Sequence, residues 1–447
     1  MRTKVICTVA LTVILVVSLF VPINMIAGTP EVSEGPLENW SEDIRLTYPP
    51  THGYKANIDV YSSSFHISYE GWSDDTTEVY HMSSIDSGNT WSTPFQISDS
   101  GVLASWPDVG LAGNNVSIVW GDWKTPAWEI FYRRSEDGGV TWLTEQMISS
   151  DDGHNSEGPK VFVNSSNVHI SWMDLRDGDD GEIYYRRSLN GGETFDNGQG
   201  DDSDRRITYA PAAITQTRMA GHESNIAVTW CDRRHGNWQI YWMISKDNGY
   251  TWEDGLGNED FGRRISETTS DSVVSAMAVY NSNIHIVWVE QVWPGSEPDY
   301  YLYYRRSTDN GVTWNPAQQL SGPSPIISNP DISVQGDEVN IVWADRIDDG
   351  ENAEIYFKES LDGGISWNDD LRLTNATNDS WRPSIALVNN MKHVVWHDLR
   401  DGNSEIYYKR SPDFGEPIPE FGNIVVPVVA TMLMVTVATR VRRKKER

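Results

Sequence analysis

Residues 135–142 read SEDGGVTW and residues 360–367 read SLDGGISW, two copies of one eight-residue turn. Four more near-complete copies stand at SIDSGNTW (Ser84–Trp91), SLNGGETF (Ser188–Phe195), SKDNGYTW (Ser245–Trp252) and STDNGVTW (Ser307–Trp314). A seventh opens as SPDFG (Ser411–Gly415) and stops. They recur at a period of roughly 54 residues, the interval of one supersecondary unit copied many times. The third position of each turn holds a short polar side chain: Asp86, Asp137, Asn190, Asp247, Asp309, Asp362 and Asp413. Such a side chain bonds backbone amides within its own turn, and glycine supplies the positive φ. The closing Trp or Phe packs inward. An active centre is normally unique, so a feature present in every repeat is scaffold.

Upstream of each turn runs an alternating segment such as EIYYRRS (Glu182–Ser188), nearly repeated at Glu405–Ser411. Before it stands a segment ending in Trp, such as VHISW (Val168–Trp172). Period-2 alternation bounded by Gly, Asn and Asp predicts antiparallel strands joined by tight turns. In one repeat Asp108–Ala112, Val116–Trp120, Glu129–Ser135 and Thr144–Ile148 give four strands, A to D counted outward from a central axis. Seven such sheets predict an all-β, seven-bladed propeller over residues 40–415, an arrangement that leaves only short protected edges. The last repeat lacks strand D. WSEDIRLT (Trp40–Thr47) nearly repeats WNDDLRLT (Trp367–Thr374), so the N-terminal strand is expected to close the ring.

The repeated turns have the pattern of Asp boxes. Through them the chain resembles the sialidase-like (Asp-box, or BNR-repeat) β-propeller superfamily along nearly all of residues 40–415. The resemblance implies boxes on the face opposite the active site. For a sialidase it also implies three arginines on the substrate carboxylate, a Tyr–Glu nucleophile pair and an Asp acid/base. The first of those arginines belongs to an Arg-Ile-Pro tripeptide, which occurs nowhere in this sequence. The catalytic set therefore does not carry over; the fold does.

Two groups of residues are candidates for ligand contact. After strand B comes Trp-x-Asp, with Arg two residues on in TrpMetAspLeuArg (Asp174, Arg176) and TrpHisAspLeuArg (Asp398, Arg400). Such Asp–Arg pairs either grip an anionic ligand, since the guanidinium fork matches a carboxylate, or tie neighbouring blades together. Their repetition favours the structural role. Blade five departs from the pattern with Glu290, and blade one with TyrGluGlyTrp (Tyr69–Trp72). The segments entering strand A differ in every blade and offer Lys55, Trp106, Glu157, Tyr209, Asp271, Asn329 and Arg382. Aromatic, acidic and basic groups around one funnel mouth suit a sugar. The leading expectation is a non-catalytic binding or structural protein recognising a glycan or a surface protein. The alternative is a sialidase-like glycoside hydrolase acting in the funnel.

Composition narrows the partners. With 35 basic and 64 acidic side chains the chain carries a net charge of −29. Such a field repels nucleic acid. The only cysteines are Cys7 and Cys231, and two widely separated thiols give neither a disulfide framework nor zinc-site spacing. Two acidic, glycine-rich loops, Phe195–Thr208 and Trp252–Ser266, have oxygen-rich spacing that admits calcium, though neither fits the EF-hand pattern; a solvated loop is the plainer reading. A basic start, an apolar run from Val5 to about Ile26 and small residues to Gly28 predict a signal peptide over 1–28, or an uncleaved anchor. At the other end, residues 416–422 read as a linker and 423–447 as an apolar span with a basic tail. Pro419-Glu420-Phe421-Gly422 followed by that span resembles archaeal sorting tails of the PEF type; a plain transmembrane anchor is the alternative. Both place the propeller on the extracellular face of the membrane.

Overall fold

The computed structural model describes residues 40–73, 76–178, 180–210, 213–259, 262–346 and 352–411. The signal segment, the linker, the anchor and Asp413 lie outside the described residues. Within them there are 28 strands, arranged as seven four-stranded antiparallel sheets. The protein is a seven-bladed β-propeller. No helix of the described residues is long and apolar enough to cross a membrane.

The inner strands, A, are His52–Tyr61, Ala104–Ala112, Ser156–Asn164, Ile214–His222, Asp271–Tyr280, Ile327–Gln335 and Ser380–Val388, numbered blades one to seven. Each packs against the inner strands on either side, and the strand of blade seven meets that of blade one. Blade two shows where sequence alternation misplaces boundaries. Strand A starts at Ala104 rather than Asp108, strand B is Asn115–Asp122, strand C is Glu129–Ser135 as expected, and strand D shrinks to Gln146–Met147. A bulge between Ser105 and Asp108 breaks the period-2 pattern inside strand A and hides its first half.

Seven hydrophobic clusters fill the spaces between adjacent blades, one for each interface. The anchor of each is the aromatic residue of strand B: Tyr69, Trp120, Trp172, Trp230, Trp288, Trp343 or Trp396, all essentially fully buried. At about 25 cal/mol per Å², burying 150–250 Å² per ring contributes about 4–6 kcal/mol each before entropy. The six indoles also donate to the carboxylate two residues on, as in Trp172 Nε1 to Asp174 Oδ2 at 3.0 Å and Trp288 Nε1 to Glu290 Oε2 at 3.1 Å. A β-strand puts residues i and i+2 on one face, so a Trp in the blade interface carries its acid in with it.

The N-terminal segment closes the ring. Ile44–Arg45 pairs with Glu405–Arg410, Ile44 opposite Tyr408 and Arg45 opposite Tyr407. Thr47 Oγ1 donates to Glu405 Oε2 at 2.6 Å and Arg45 Nη2 to Oε1 at 2.8 Å. Thr374 and Arg372 bind Glu354 in blade six the same way, at 2.5 and 2.8 Å. Trp40 lies edge-on to Phe357 at 5.3 Å, as Trp367 lies on Tyr304 at 4.9 Å. Asp43 adds Arg400 at 2.7 Å and Lys409 at 2.8 Å.

The repeated turns are self-contained. Asp86 Oδ1 accepts from Thr90 N and Oδ2 from Thr90 Oγ1, at 2.9 and 2.6 Å, while Ser84 Oγ accepts from Gly88 N. The same set recurs around Asp137, Asp247, Asp309 and Asp362, and around Asn190 the hydroxyl bond is reversed, its Nδ2 donating to Thr194 Oγ1. Those hydrogen bonds hold the exposed Asp86 and Asp137 carboxyls down to about 2. The closing ring packs on strand C of the preceding blade, as Trp252 does on Tyr185 at 5.1 Å. Each of the six described turns sits beside an A–B turn, at the opposite end of the strands from the B–C loops.

Candidate functional site

One bulge residue per blade turns inward at the end of the barrel away from the repeated turns. Lys55, Trp106, Gly158, Gln216, Val274, Asn329 and Arg382 occupy equivalent places in the seven A strands, and all have φ between 48° and 59°. A left-handed conformation is disfavoured for side chains other than glycine, above all for β-branched Val274, so its recurrence in every blade marks a built feature. The bulge aims the side chains of the six non-glycine residues at the axis. Together they ring a cavity of about 340 Å³, with Glu157, Met173, Lys160, Arg218 and Asp331 lining its walls.

Behind each bulge stands the middle residue of the Trp-x-Asp element. It lies on the opposite face of strand B from the Trp and the acid, directly across from the residue preceding the bulge: Tyr54 with Glu70, Ser105 with Gly121, Glu157 with Met173, Thr215 with Cys231, Val273 with Val289, Ser328 with Ala344 and Trp381 with His397. Five of these seven backing residues are apolar. Blades one and seven, which adjoin at the ring closure, supply Glu70 and His397.

That sector is the chemically distinct part of the mouth. Glu70 Oε1 accepts from Lys55 Nζ at 2.8 Å, Ser105 Oγ at 2.5 Å and Trp106 N at 2.8 Å, so one buried carboxylate positions both neighbouring bulge residues. The His397 ring packs against Tyr54 at 4.3 Å, and the Arg382 guanidinium lies over the same Tyr54 ring at 5.6 Å. Burial first, and then the Arg382 charge, hold His397 down to about 3, so it is a neutral imidazole at neutral pH. Its Nδ1 has no hydrogen-bond partner among the described residues.

Deeper in the channel the charges alternate. Asp108 accepts from Val161 N at 2.9 Å and lies 3.3 Å from Lys160 Nζ; Asp331 accepts from Ile385 N at 2.9 Å and Ile332 N at 3.0 Å. Asp59 accepts from Leu111 N at 2.8 Å, and burial pushes its carboxyl up to about 6. These aspartates tie the A strand of blade one to that of blade two, two to three, and six to seven. Arg218 and Arg382 stand apart. Among the described residues neither has a carboxylate within ion-pair distance, and Arg218 donates to the Thr217 carbonyl at 3.0 Å. Burial lowers the Arg218 pKa, although Asp331 and Asp108 oppose the shift.

The structure sorts the sequence-derived candidates into two groups. Lys55, Trp106, Glu157, Asn329 and Arg382 all line the one cavity. Tyr209 does not; it is exposed, with the Arg206 guanidinium 4.5 Å above its ring. Asp271 accepts from Trp238 N at 2.8 Å and caps a strand instead. Asp174, Asp398 and Glu290 are buried beneath their tryptophans and do not reach the mouth. Arg176 forks onto Asp174 at 2.9 and 2.6 Å, and Arg400 onto Asp398 at 2.8 and 2.6 Å. The pairs join residues of one blade rather than neighbouring blades, because two residues of separation on one hairpin suffice for the fork to close. Arg176 reaches on to Asp204 at 2.7 Å and Asp152 at 3.1 Å, pinning adjacent loops. Sequence reading passed over Tyr54 and Arg218, and met Glu70 only as part of TyrGluGlyTrp and His397 only as part of TrpHisAspLeuArg. The usable signal was the middle position of Trp-x-Asp, apolar in five blades and ionisable in two.

In the acidic loops, Asn197 Oδ1 accepts from Gln199 N and Asp201 N, and Asp254 Oδ1 from Leu256 N and Asn258 N. Asp204 is taken by Arg176. No group of three potential metal-ligating side chains occurs among the described residues.

No protein-family model matches the chain, and no curated protein matches its sequence. Solved structures do resemble it. A polysaccharide lyase superposes with a TM-score of 0.57 at 10% identity, over 86% of this chain and 94% of its own. An ulvan lyase bound to a repeat of glucuronic acid and sulfated rhamnose gives 0.58 at 12% identity, over 82% and 95%. A sialidase of Trypanosoma rangeli gives 0.44 at 10% identity, over 80% and 54%. At these identities the likeness is one of fold, and the chemistry rests on this chain's own side chains.

Proposed function

We propose that this protein is a glycan-recognising propeller whose funnel mouth binds an acidic saccharide. The observation that carries the reading is a pair of cations with no carboxylate within ion-pair distance. Arg218 and Arg382 face one cavity without a carboxylate partner among the described residues, in a chain that has 64 acidic side chains against 35 basic ones. Surplus acid is available everywhere, so guanidinium groups left unpaired around a cavity are matched to an anion that arrives with the ligand. A sugar carboxylate suits their fork geometry. The half-exposed Trp106 and exposed Tyr54 supply faces for a pyranose ring, and Asn329 and Gln216 supply polar contacts at the rim. The volume of about 340 Å³ suits one or two sugar rings rather than a protein surface loop.

Binding without cleavage is the reading favoured here over hydrolysis. Glycosidases use two carboxyl groups flanking the scissile bond. Glu157 and Asp331 are the carboxylates lining this cavity among the described residues, and Asp331 is occupied by two backbone N–H groups. A second reading, eliminative cleavage of a uronate chain, is favoured by the grouping of Tyr54 and neutral His397 with Arg382, which can neutralise a carboxylate while a proton leaves the adjacent carbon. The structurally similar ulvan lyase is bound to a glucuronate-containing repeat. One experiment separates the readings. Full-length protein is titrated calorimetrically with glucuronate-containing ulvan oligosaccharides and with the same oligosaccharides after reduction of their carboxyl groups. The expected result is binding of the acidic form alone, with no ultraviolet band from an unsaturated uronate on prolonged incubation. Growth of that band establishes the lyase reading; equal binding of both forms removes the acidic-ligand reading.

A further inference from the structure

Blade two carries an aromatic surface that begins in the funnel and extends beyond it. Trp106 lines the cavity, Trp128 lies 4.8 Å from it, and Trp123 lies 5.8 Å from Trp128. Trp123 and Trp128 flank the B–C loop of the blade, at the end of the propeller that holds the funnel mouth. Exposure rises outward along the row: Trp106 and Trp128 are half-buried and Trp123 is 47% exposed. These three are unlike the six buried strand-B indoles, each of which donates to a carboxylate. Among the described residues none of the three has a bonded indole N–H.

The backbone beneath is shaped to admit the rings. Gly121 is the middle residue of this blade's Trp-x-Asp element, and its φ is not of the kind that requires glycine. Space is what it provides. A Cβ there would stand 2.8 Å from the Trp106 ring and 3.5 Å from the Trp128 ring. The inner end of the row is tied to the anion site as well, since Glu70 holds Trp106 N and Lys55 Nζ, and that ammonium lies 5.7 Å from the Trp106 ring centre.

We infer that Trp106, Trp128 and Trp123 form a binding track for the sugars flanking the acidic residue, so that the ligand is a polysaccharide chain running from the funnel out over blade two. The inference rests on the acidic-saccharide reading above and deepens it from a single sugar to a polymer. Its occupant is the continuation of the chain seated in the funnel, because Trp106 belongs to both surfaces. Indole faces stack on the apolar faces of sugar rings, and the open N–H groups donate to sugar hydroxyls.

Chain-length dependence provides the test. Full-length wild-type protein and Trp123→Ala are titrated with ulvan-derived di-, tetra- and hexasaccharides. Trp123 is the most exposed of the three, so its replacement should leave the melting temperature unchanged. The track predicts that affinity in the wild type rises with length, and that Trp123→Ala binds the hexasaccharide about tenfold more weakly while binding the disaccharide equally. Gly121→Ala, which displaces the inner rings without removing an aromatic group, should flatten the same length dependence. Disaccharide binding with no dependence on length, or an equal loss at every length, overturns the track and leaves the funnel reading standing. Failure of all three lengths to bind the wild type overturns the funnel reading and the track together.

Discussion

At the scale of single residues, the molecule separates ionisable groups that serve packing from those turned toward the axis. His169, His285 and His393 occupy one position of strand B in blades three, five and seven, each with Nδ1 on a buried tyrosine hydroxyl at 2.6–2.7 Å. Burial, and then the Arg306 charge, hold His285 down to about 4. The unfolded chain takes up this proton near the ordinary value of about 6.5, whereas the folded chain does so only near 4, so stability falls as pH falls through that window. Wild-type protein should lose about 2 kcal/mol from this site between pH 7 and pH 5 that His285→Phe does not lose. Denaturant titrations of the two proteins at both pH values check this, and an identical stability difference at pH 7 and pH 5 would contradict it. His397 has the same physical cause for its neutrality, but it stands behind Tyr54 and beside Arg382, where a charge change would reach a ligand.

At the scale of elements, the repeated turn is a staple between blades. Trp252 is 2% exposed and packs on Tyr185 of the preceding blade, whereas Trp142 and Trp314 are only half-buried. Trp252→Ala should therefore cost about 3–5 kcal/mol, Trp142→Ala less, and neither should alter saccharide affinity in the folded fraction. Loss of affinity with an unmoved melting curve would transfer function to the turns. The strand pattern, the seven repeats and the N-terminal closure were legible in the sequence because each is repeated and periodic. The funnel was only half legible. A bulge breaks the alternation where side chains turn inward, so Lys55 and Arg382 could be found as departures from the repeat, while Tyr209 and Asp271 looked equivalent and are not. Arg218 escaped because it directly follows the bulge and His397 because it sits inside a regular strand, and only the register across the sheet shows which face each takes.

At the scale of the whole molecule, a ring closed by sequence-distant ends holds its stability and its site at one seam. Removing residues 40–47 strips Glu405 of Thr47 and Arg45, strips Lys409 and Arg400 of Asp43, and bares the edge of Glu405–Arg410. The deletion should lose cooperative melting or oligomerise in size-exclusion chromatography; a monomer of unchanged stability would remove the latch. The same two blades, seven and one, supply Arg382, His397, Lys55 and Glu70 to the mouth. If a cation without an ion-pair partner awaits a sugar carboxylate there, Arg382 is its most direct probe. Arg382→Glu reverses one charge at the rim without removing any hydrogen bond found among the described residues. Calorimetric titration of the full-length variant with the acidic ulvan tetrasaccharide should show affinity at least about tenfold weaker than wild type, with the melting temperature unchanged. Equal affinity of variant and wild type would contradict the account.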